Sequence, residues 1–341
     1  MMNAFEAKKK KKLVGIIVLL IITILLMFFV SLSTGVIQIA PADVMKTLFN
    51  NGTARQELVL FDFRLPGILL ALLIGAGLAI SGVILQGITQ NELADPGILG
   101  INTGAGLAVV LFIYFFKGQF DVTNSFTIFI MPVAALIGAI VAALIIYALA
   151  WKRGVNPIRL VLVGIGVNAG FAAFLTIFQL KMDPQDFRQA TVWLTGDIWN
   201  ASWSFVFALI PWILLLIPIA LHKAHSLNVL NLGDDVASGL GTNVESERRL
   251  LLLIAVALAG ASVAAGGGIA FLGLVVPHIA RKIMGPLHQY IIPVSALIGA
   301  LLLMVSDTIG KNLLAPTEIP VGIIVSLLSA PYFVYLLIRT K

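Results

Sequence analysis

Long apolar runs, separated by short polar segments, dominate the sequence from Leu13 to Ile338. A run of about 20 apolar residues is long enough for a helix to cross the hydrocarbon core of a bilayer. The alternating ten-residue segments that are typical of a transmembrane barrel do not occur. The pattern predicts an all-α polytopic membrane protein with about ten transmembrane helices, near residues 13–34, 66–90, 98–116, 129–150, 159–180, 204–221, 250–268, 270–283, 290–310 and 319–338.

The boundary between the seventh and eighth runs decides the number of spans. The three glycines Gly266-Gly267-Gly268 favour a tight break between two helices, because glycine interrupts regular structure. One unbroken helix would give nine spans, which is the main competing count. The eighth run is short, contains Pro277 and ends on Arg281 and Lys282. Since proline removes a backbone donor and bends a helix, we expect this segment to lie inside the bundle.

The distribution of cations predicts the orientation in the membrane. Five consecutive lysines, Lys8 to Lys12, precede the first span, whose apolar part is too long for a signal peptide. With ten spans, 15 of the 22 lysines and arginines fall on the side that holds both termini. Cytoplasmic loops carry the excess of positive charge, so both termini are predicted to be cytoplasmic. This topology also accounts for the net charge of +6 without a nucleic-acid partner.

The composition excludes several kinds of chemistry. The chain is 60% hydrophobic and 11% charged, with a mean hydropathy of +1.05. Without cysteine it can form neither a disulfide nor a thiolate site, and its four histidines lack metal-ligand spacing. Neither a Walker A pattern nor a nucleophile elbow occurs. We therefore expect no catalytic site, cofactor or metal site, and any ATPase should be another chain.

The cytoplasmic loop 222–249 carries most of the polar content on the inner side. NLGDDVASGLG predicts a short helix with Asp234 and Asp235 in its first turn, where the helix dipole favours anions. Val236 and Leu240 share one face, and Gly241 ends the helix. The next four residues, TNVE, fit a capping box for a second short helix. Two amphipathic helices indicate a docking surface, and a solvated connector is the alternative.

Polar residues within the spans have two interpretations. Gln86, Asn168 and Thr176 either line a transport pathway or form hydrogen bonds between helices. Glu92 and Asp95 lie in the turn after the second span, where turn formation is favoured over proton coupling.

Three charged or titratable groups near the membrane surfaces leave a similar choice. Lys311 follows Asp307 by four residues, so the two form either a helix-end ion pair or a contact for a molecule from outside. Arg64 offers the same choice. His278 is favoured as a hydrogen-bonded packing residue over a metal ligand.

Several motifs together carry a resemblance to a known family: RLPG at 64–67, SGVILQGITQNELADPGILGIN at 81–102, LGDDVASGLG at 232–241, GGIAFLGLVVPHIARK at 267–282 and PTEIPVGIIVSLLSAPYFVYLL at 316–337. In this order they resemble the FecCD-type permeases, which are the membrane subunits of ABC importers for ferric siderophores, haem and cobalamin. The likeness covers nearly the whole chain and is strongest to ferric-siderophore permeases of Gram-positive bacteria.

The resemblance implies one permease domain over 1–341, with a basic cytoplasmic tail at 1–12, in the bacterial cell membrane. Its implied partners are an ABC ATPase dimer, a second permease (a second copy or, as the Gram-positive likeness favours, a paralogue), an extracellular substrate-binding lipoprotein and membrane lipid. ATP would be used by the ATPase, and the implied cargo is a ferric siderophore, with haem or cobalamin as alternatives in the same family. An ion-coupled secondary transporter is the rival class.

The resemblance also implies roles for particular residues. The segment that contacts the ATPase corresponds here to Leu232, Gly233, Asp234, Asp235, Val236, Ala237, Gly239, Leu240 and Gly241. Arg64 and Lys311 match cations that dock the binding protein. The chain departs from the family pattern at Gly67, where a second arginine is usual, and at Glu92, where proline is commoner.

Overall fold

The computed structural model describes residues 2–116, 127–152, 154, 156–198 and 201–339. Helices make up nearly all of the regular structure in these residues. In chain order they are α1 Met2–Ser33, α2 Pro41–Leu48, α3 Ala54–Glu57, a π-helical segment Leu58–Arg64, α4 Leu65–Thr89, α5 Ile101–Phe115, α6 Thr127–Ala150, α7 Pro157–Gln179, α8 Pro184–Leu194, α9 Trp203–His222, α10 Ala224–Leu230, α11 Asp234–Gly239, α12 Val244–Gly266, α13 Leu272–Met284, α14 His288–Leu313 and α15 Val321–Arg339.

Each of the ten predicted apolar runs corresponds to a helix of the described chain. Seven of these helices are long and apolar enough to cross a membrane, and α5 and the first part of α15 are shorter apolar helices. The all-α polytopic membrane fold is therefore confirmed. Ten crossings with both termini in the cytoplasm stay a prediction, because α5 and α13 are short for a full crossing.

Helix α4 lies at the centre of the bundle. It packs against α14, α12, α13 and α9, and its residues from Gly77 to Thr89 are all buried. Glycines allow two of these neighbours to approach closely: a side chain at Gly75 would collide with the backbone of Gly299 on α14, and one at Gly82 with that of Gly273 on α13. Small residues at such crossings let helices gain dispersion contacts that lipid tails cannot supply.

The predicted break between the seventh and eighth runs is present. Helix α12 ends at Gly266, and Gly267 has a φ of +70°, which glycine adopts without steric cost. Phe271, just before α13, also lies in the left-handed region, with a φ of 65°. The first six residues of α13, including Pro277, are buried, as predicted for a segment inside the bundle.

The cytoplasmic loop differs from the prediction in the position of its second short helix. Asn243, not Thr242, is the N-cap, and its side chain accepts a hydrogen bond from the Ser246 backbone. The helix that begins there is α12 itself, because the apolar run from Leu250 continues the same helix. The second short helix of the loop is α10, upstream of α11, which the sequence reasoning missed.

Candidate functional site

The surface of the loop 222–249, which is predicted to be cytoplasmic, is formed by α11 and its flanking residues. Asp234 and Asp235 occupy the first turn of α11, and Gly241 follows the helix with a φ of +83°. Ala237 is buried against the rest of the protein. Leu232, Val236 and Leu240 are 58%, 50% and 64% exposed. Large apolar side chains at this exposure, on one side of a short helix, are typical of a protein-binding surface.

Ion pairs and hydrogen bonds fasten this loop to the bundle. Arg248 on α12, whose side chain is only 4% exposed, donates to Asp234 over 2.6 Å. Lys223, at the start of the loop, lies 2.7 Å from Glu247. Asn228 on α10 accepts from the backbone of His288 at the start of α14. These contacts join α11 to α12 and α10 to α14.

A cavity of about 340 Å³ lies among α5, α7, the turn after α4 and the segment before α13. Its polar lining consists mainly of Asp95, Asn102, Thr103 and Asn168. Thr103 donates to the Asn168 side chain, and Asn102 donates to the Ile269 carbonyl over 3.0 Å. The motif NELADPGILGIN thus contributes polar side chains to the wall of a partly open, largely apolar cavity, as well as forming a turn.

The three predicted pathway residues lie in different surroundings. Asn168 borders the cavity, whereas Thr176 is exposed and donates to the carbonyl of Ala172 on its own helix. Gln86 is buried; it donates to the carbonyl of Leu274 over 3.2 Å and accepts from Arg281 over 3.3 Å. Gln86 therefore joins α4 to α13, which was the alternative interpretation of this residue.

The predicted outer cations also differ from one another. The half-buried Arg64 guanidinium donates to the carbonyls of Leu32 and Ile37, near the end of α1. Lys311 pairs with Asp307 over 2.7 Å. A Cβ atom at Gly67 would lie 3.0 Å from the Lys311 ammonium nitrogen. Lys311 therefore fills the space beside Gly67, the position where the second arginine of the motif is usual.

Glu318, in the outer loop before α15, adds an acidic group near Lys311. Burial raises the pKa of the Glu318 carboxyl above its usual value. The positive charge of Lys311 opposes the rise, and the negative charges of Asp307 and Asp197 add to it. The outer end of α14 is thus a mixed-charge surface and not a purely basic one.

A sequence profile of the FecCD transport family matches residues 20–339. The chain belongs to the FecCD transport family. This FecCD chain is 60% identical over 314 residues to the "Iron(3+)-hydroxamate import system permease protein FhuG" of Bacillus subtilis. The aligned region covers 92% of this chain and 94% of the relative. It is 44% identical over 315 residues to the "Iron-uptake system permease protein FeuC" of the same organism, covering 92% of this chain and 94% of that one.

A solved structure has the same fold as this FecCD chain. It is a metal-chelate type ABC transporter in an inward-facing conformation, 28% identical in sequence, with a TM-score of 0.82 over 95% of this chain and 99% of the other. Together with the apolar helices, the match identifies the FecCD chain as a multi-pass bacterial membrane permease.

Glu92 forms contacts at the site of a departure from the FecCD pattern. Its carboxylate lies 3.1 Å from Arg281 and 3.3 Å from His278, both on α13. The turn after α4 is thereby joined to the C-terminal half of α13. His278 has a hydrogen-bonding partner in this arrangement, which agrees with the favoured packing role.

Sequence reasoning missed the Glu92 contacts and the cavity. Glu92 and its partners are far apart along the chain, so no local spacing reveals them. The unusual glutamate in NELADP was the available signal for the Glu92 contacts. The polar pair Asn102-Thr103 after a turn was the available signal for the cavity.

Proposed function

We propose that the chain is the membrane-spanning subunit of an ABC importer that carries a ferric siderophore into the cytoplasm. A separate ATPase subunit supplies the energy, and this chain has no cofactor or metal site of its own. The iron arrives enclosed in the siderophore and is cargo. The family match and the iron-uptake relatives support this proposal.

The observation that carries the proposal is the exposed apolar surface of α11, held by a nearly buried arginine. Burying the exposed parts of Val236 and Leu240, which are about half to two-thirds of each side chain, would contribute about 1–2 kcal/mol for each residue. Because Arg248 ties α11 to α12, movement of a docked ATPase would displace a helix of the bundle. In alternating access, the protein changes between an inward-open and an outward-open state. Binding at either end of the protein must change the populations of these same two states.

The outer surface is proposed to receive the binding lipoprotein. Lys311 beside Gly67 supplies a cation close to the place of the missing arginine. Arg64 already donates to two carbonyls, so its docking role requires either a shared contact or a change of partner. Asn168 and the cavity that it lines are proposed to border the pathway. Gln86 and Thr176 do not line this cavity.

A second permease is proposed to cover α7. Only Leu160 and Gly164 of α7 are buried among the described residues, and Ile158, Leu162 and Phe174 are among its exposed side chains. Gly166 and Gly170 face open space, so another helix could approach closely there. The partner is a second copy or a paralogue.

Hydroxamate siderophores are the cargo to test first, because the 60%-identical relative is a permease for iron(3+)-hydroxamate. The experiment measures uptake of radioactive iron on hydroxamate, catecholate and carboxylate siderophores in a deletion strain, with labelled haem and cobalamin in parallel. We expect loss of hydroxamate-bound iron uptake, restored by the wild-type gene. Loss of haem or cobalamin uptake alone would overturn the cargo and keep the family.

A pair of variants tests the ATPase contact. Val236→Ser with Leu240→Ser should lower uptake at least about tenfold, because both apolar contacts are lost. Ser238→Ala, on the other side of the same exposed helix, should keep wild-type uptake. Full uptake by the double variant at equal membrane abundance would contradict the docking role. Uptake that stops with a proton ionophore while ATP is maintained would indicate the secondary-transporter class instead.

A further inference from the structure

The strongest unassigned charge on the molecule is the run of five lysines at the start of α1. We propose that Lys8 to Lys12 bind anionic phospholipid headgroups of the cytoplasmic leaflet and so hold α1 beside the end of α13. This inference concerns the lipid partner and does not depend on which cargo is carried.

The helical geometry places all five lysines within the headgroup layer of the membrane. Helix α1 is continuous from Met2 to Ser33, so the lysines and the apolar span are one rigid element. The roughly 21 residues from Leu13 to Ser33 rise about 31 Å, which matches a hydrocarbon core of about 30 Å. The lysines extend about 6 Å further, which is about the thickness of the headgroup layer on one side.

The lysines present charge in every direction around the helix. Five consecutive residues, each rotated by about 100°, cover the full circumference of an α-helix. Lys8, Lys10, Lys11 and Lys12 are exposed, and Glu6 is the one acidic residue in the sequence of α1, so the helix has five lysines and a single carboxylate. Neutralisation must therefore come largely from outside this helix, and at this depth phosphate headgroups are the most abundant anions.

One of the lysines also contacts the rest of the protein. The Lys12 ammonium donates to the carbonyl of Ile283 over 2.5 Å, at the C-terminal end of α13. The neighbouring Lys282 is exposed as well. Headgroups gathered by the lysines would therefore lie beside the end of the helix whose Arg281 pairs with Glu92. Orientation by the positive-inside rule needs a bias in charge but not a continuous cationic ring around one helix.

The test measures lipid retention by the purified full-length chain. The wild-type protein is placed in nanodiscs with equal phosphatidylglycerol and phosphatidylcholine, and retained lipids are counted by native mass spectrometry. Lys8→Gln, Lys9→Gln, Lys10→Gln and Lys11→Gln together should lower the preference for phosphatidylglycerol about tenfold or more, since each lysine adds to headgroup attraction. Lys12 is kept, so its contact with Ile283 is preserved.

Two controls separate the proposal from general charge effects. Arginine at the same four positions should retain the preference, because the charge and the depth are unchanged. Removing four exposed cations expected on the outer side, Lys46, Arg55, Lys181 and Arg188, should leave it within about twofold. An unchanged preference in the glutamine variant, or an equal loss in the outer variant, would overturn the proposal. If the glutamine variant is unstable, loss of the preference in the arginine variant would overturn it by itself.

Discussion

Arg248 and Asp234 decide the stability of the cytoplasmic loop at the scale of single residues. The arginine is nearly inaccessible to solvent, whereas Asp234 is about half exposed. A nearly buried cation that loses one of its charged partners keeps most of the cost of its burial. The two partners therefore differ in burial, and removing the Asp234 carboxylate tests the contribution of the ion pair because it leaves the buried Arg248 without this partner.

Asp234→Asn should lower the free energy of unfolding by about 1–3 kcal/mol, because Arg248 loses its charged acceptor. Asp235→Asn is the matched control, since Asp235 lies in the same helical turn, close to the same helix dipole. Chemical unfolding of the purified chain in detergent measures both variants. Equal losses in the two variants would mean that the dipole of α11, not the ion pair, is responsible.

At the same scale, the contacts of Glu92 give a physical explanation for glutamate at a position where proline is commoner in the family. Without proline at this position, the turn after α4 has a carboxylate that reaches the Arg281 guanidinium and the His278 imidazole on α13. The glutamate is about half exposed, so the pair contributes modestly to stability. Its effect is mainly to fix the position of the turn relative to α13.

At the scale of elements, the crossing of α4 and α14 is a close backbone contact at the centre of the bundle. The backbones meet at Gly75 and Gly299, and neither position has room for a methyl group. The neighbouring atoms are backbone atoms, so a rotamer change cannot relieve the collision. Close packing of this kind determines how far α4 lies from α14.

Gly75→Ala should lower the free energy of unfolding by about 1–3 kcal/mol, because α4 and α14 must move apart. Gly170→Ala on α7 is the matched control, since a side chain there meets no atom within 4 Å. The control should be neutral or stabilising by up to about 1 kcal/mol through helix propensity. Thermal unfolding of the isolated chain distinguishes them; a Gly75→Ala variant as stable as the control would show that the helices separate without cost.

At the scale of the whole molecule, the distribution of cations predicts the orientation of the bundle, and the absence of native cysteine makes that orientation measurable. Single cysteines at Gln185 on α8, at Ser238 on α11 and after Lys341 provide three reporters. A membrane-impermeant maleimide should label Gln185→Cys in intact cells, whereas the other two should react only after permeabilisation. Labelling of the C-terminal cysteine in intact cells would support nine crossings.

The sequence by itself determined the ten apolar helices. In lipid, the backbone N–H and C=O groups of a segment must form hydrogen bonds within that segment, so a long apolar run predicts a helix. The same holds for α11, whose acidic first turn and terminal glycine are local signals. The second short helix of the loop was misplaced because Asn243 competes with Thr242 as a cap, and the run that follows is continuous with the span.

Only the tertiary structure decided which distant groups meet. The contacts of Lys12 with Ile283, Gly67 with Lys311, and Glu92 with Arg281 join residues more than a hundred positions apart. Such contacts depend on how helices rotate and cross, and a hydropathy pattern leaves both undetermined because lipid and helix neighbours are equally apolar. For the same reason the sequence did not distinguish whether Gln86 lines the transport pathway or forms hydrogen bonds between helices. The hydrogen bonds of its side chain to α13 favour the second interpretation.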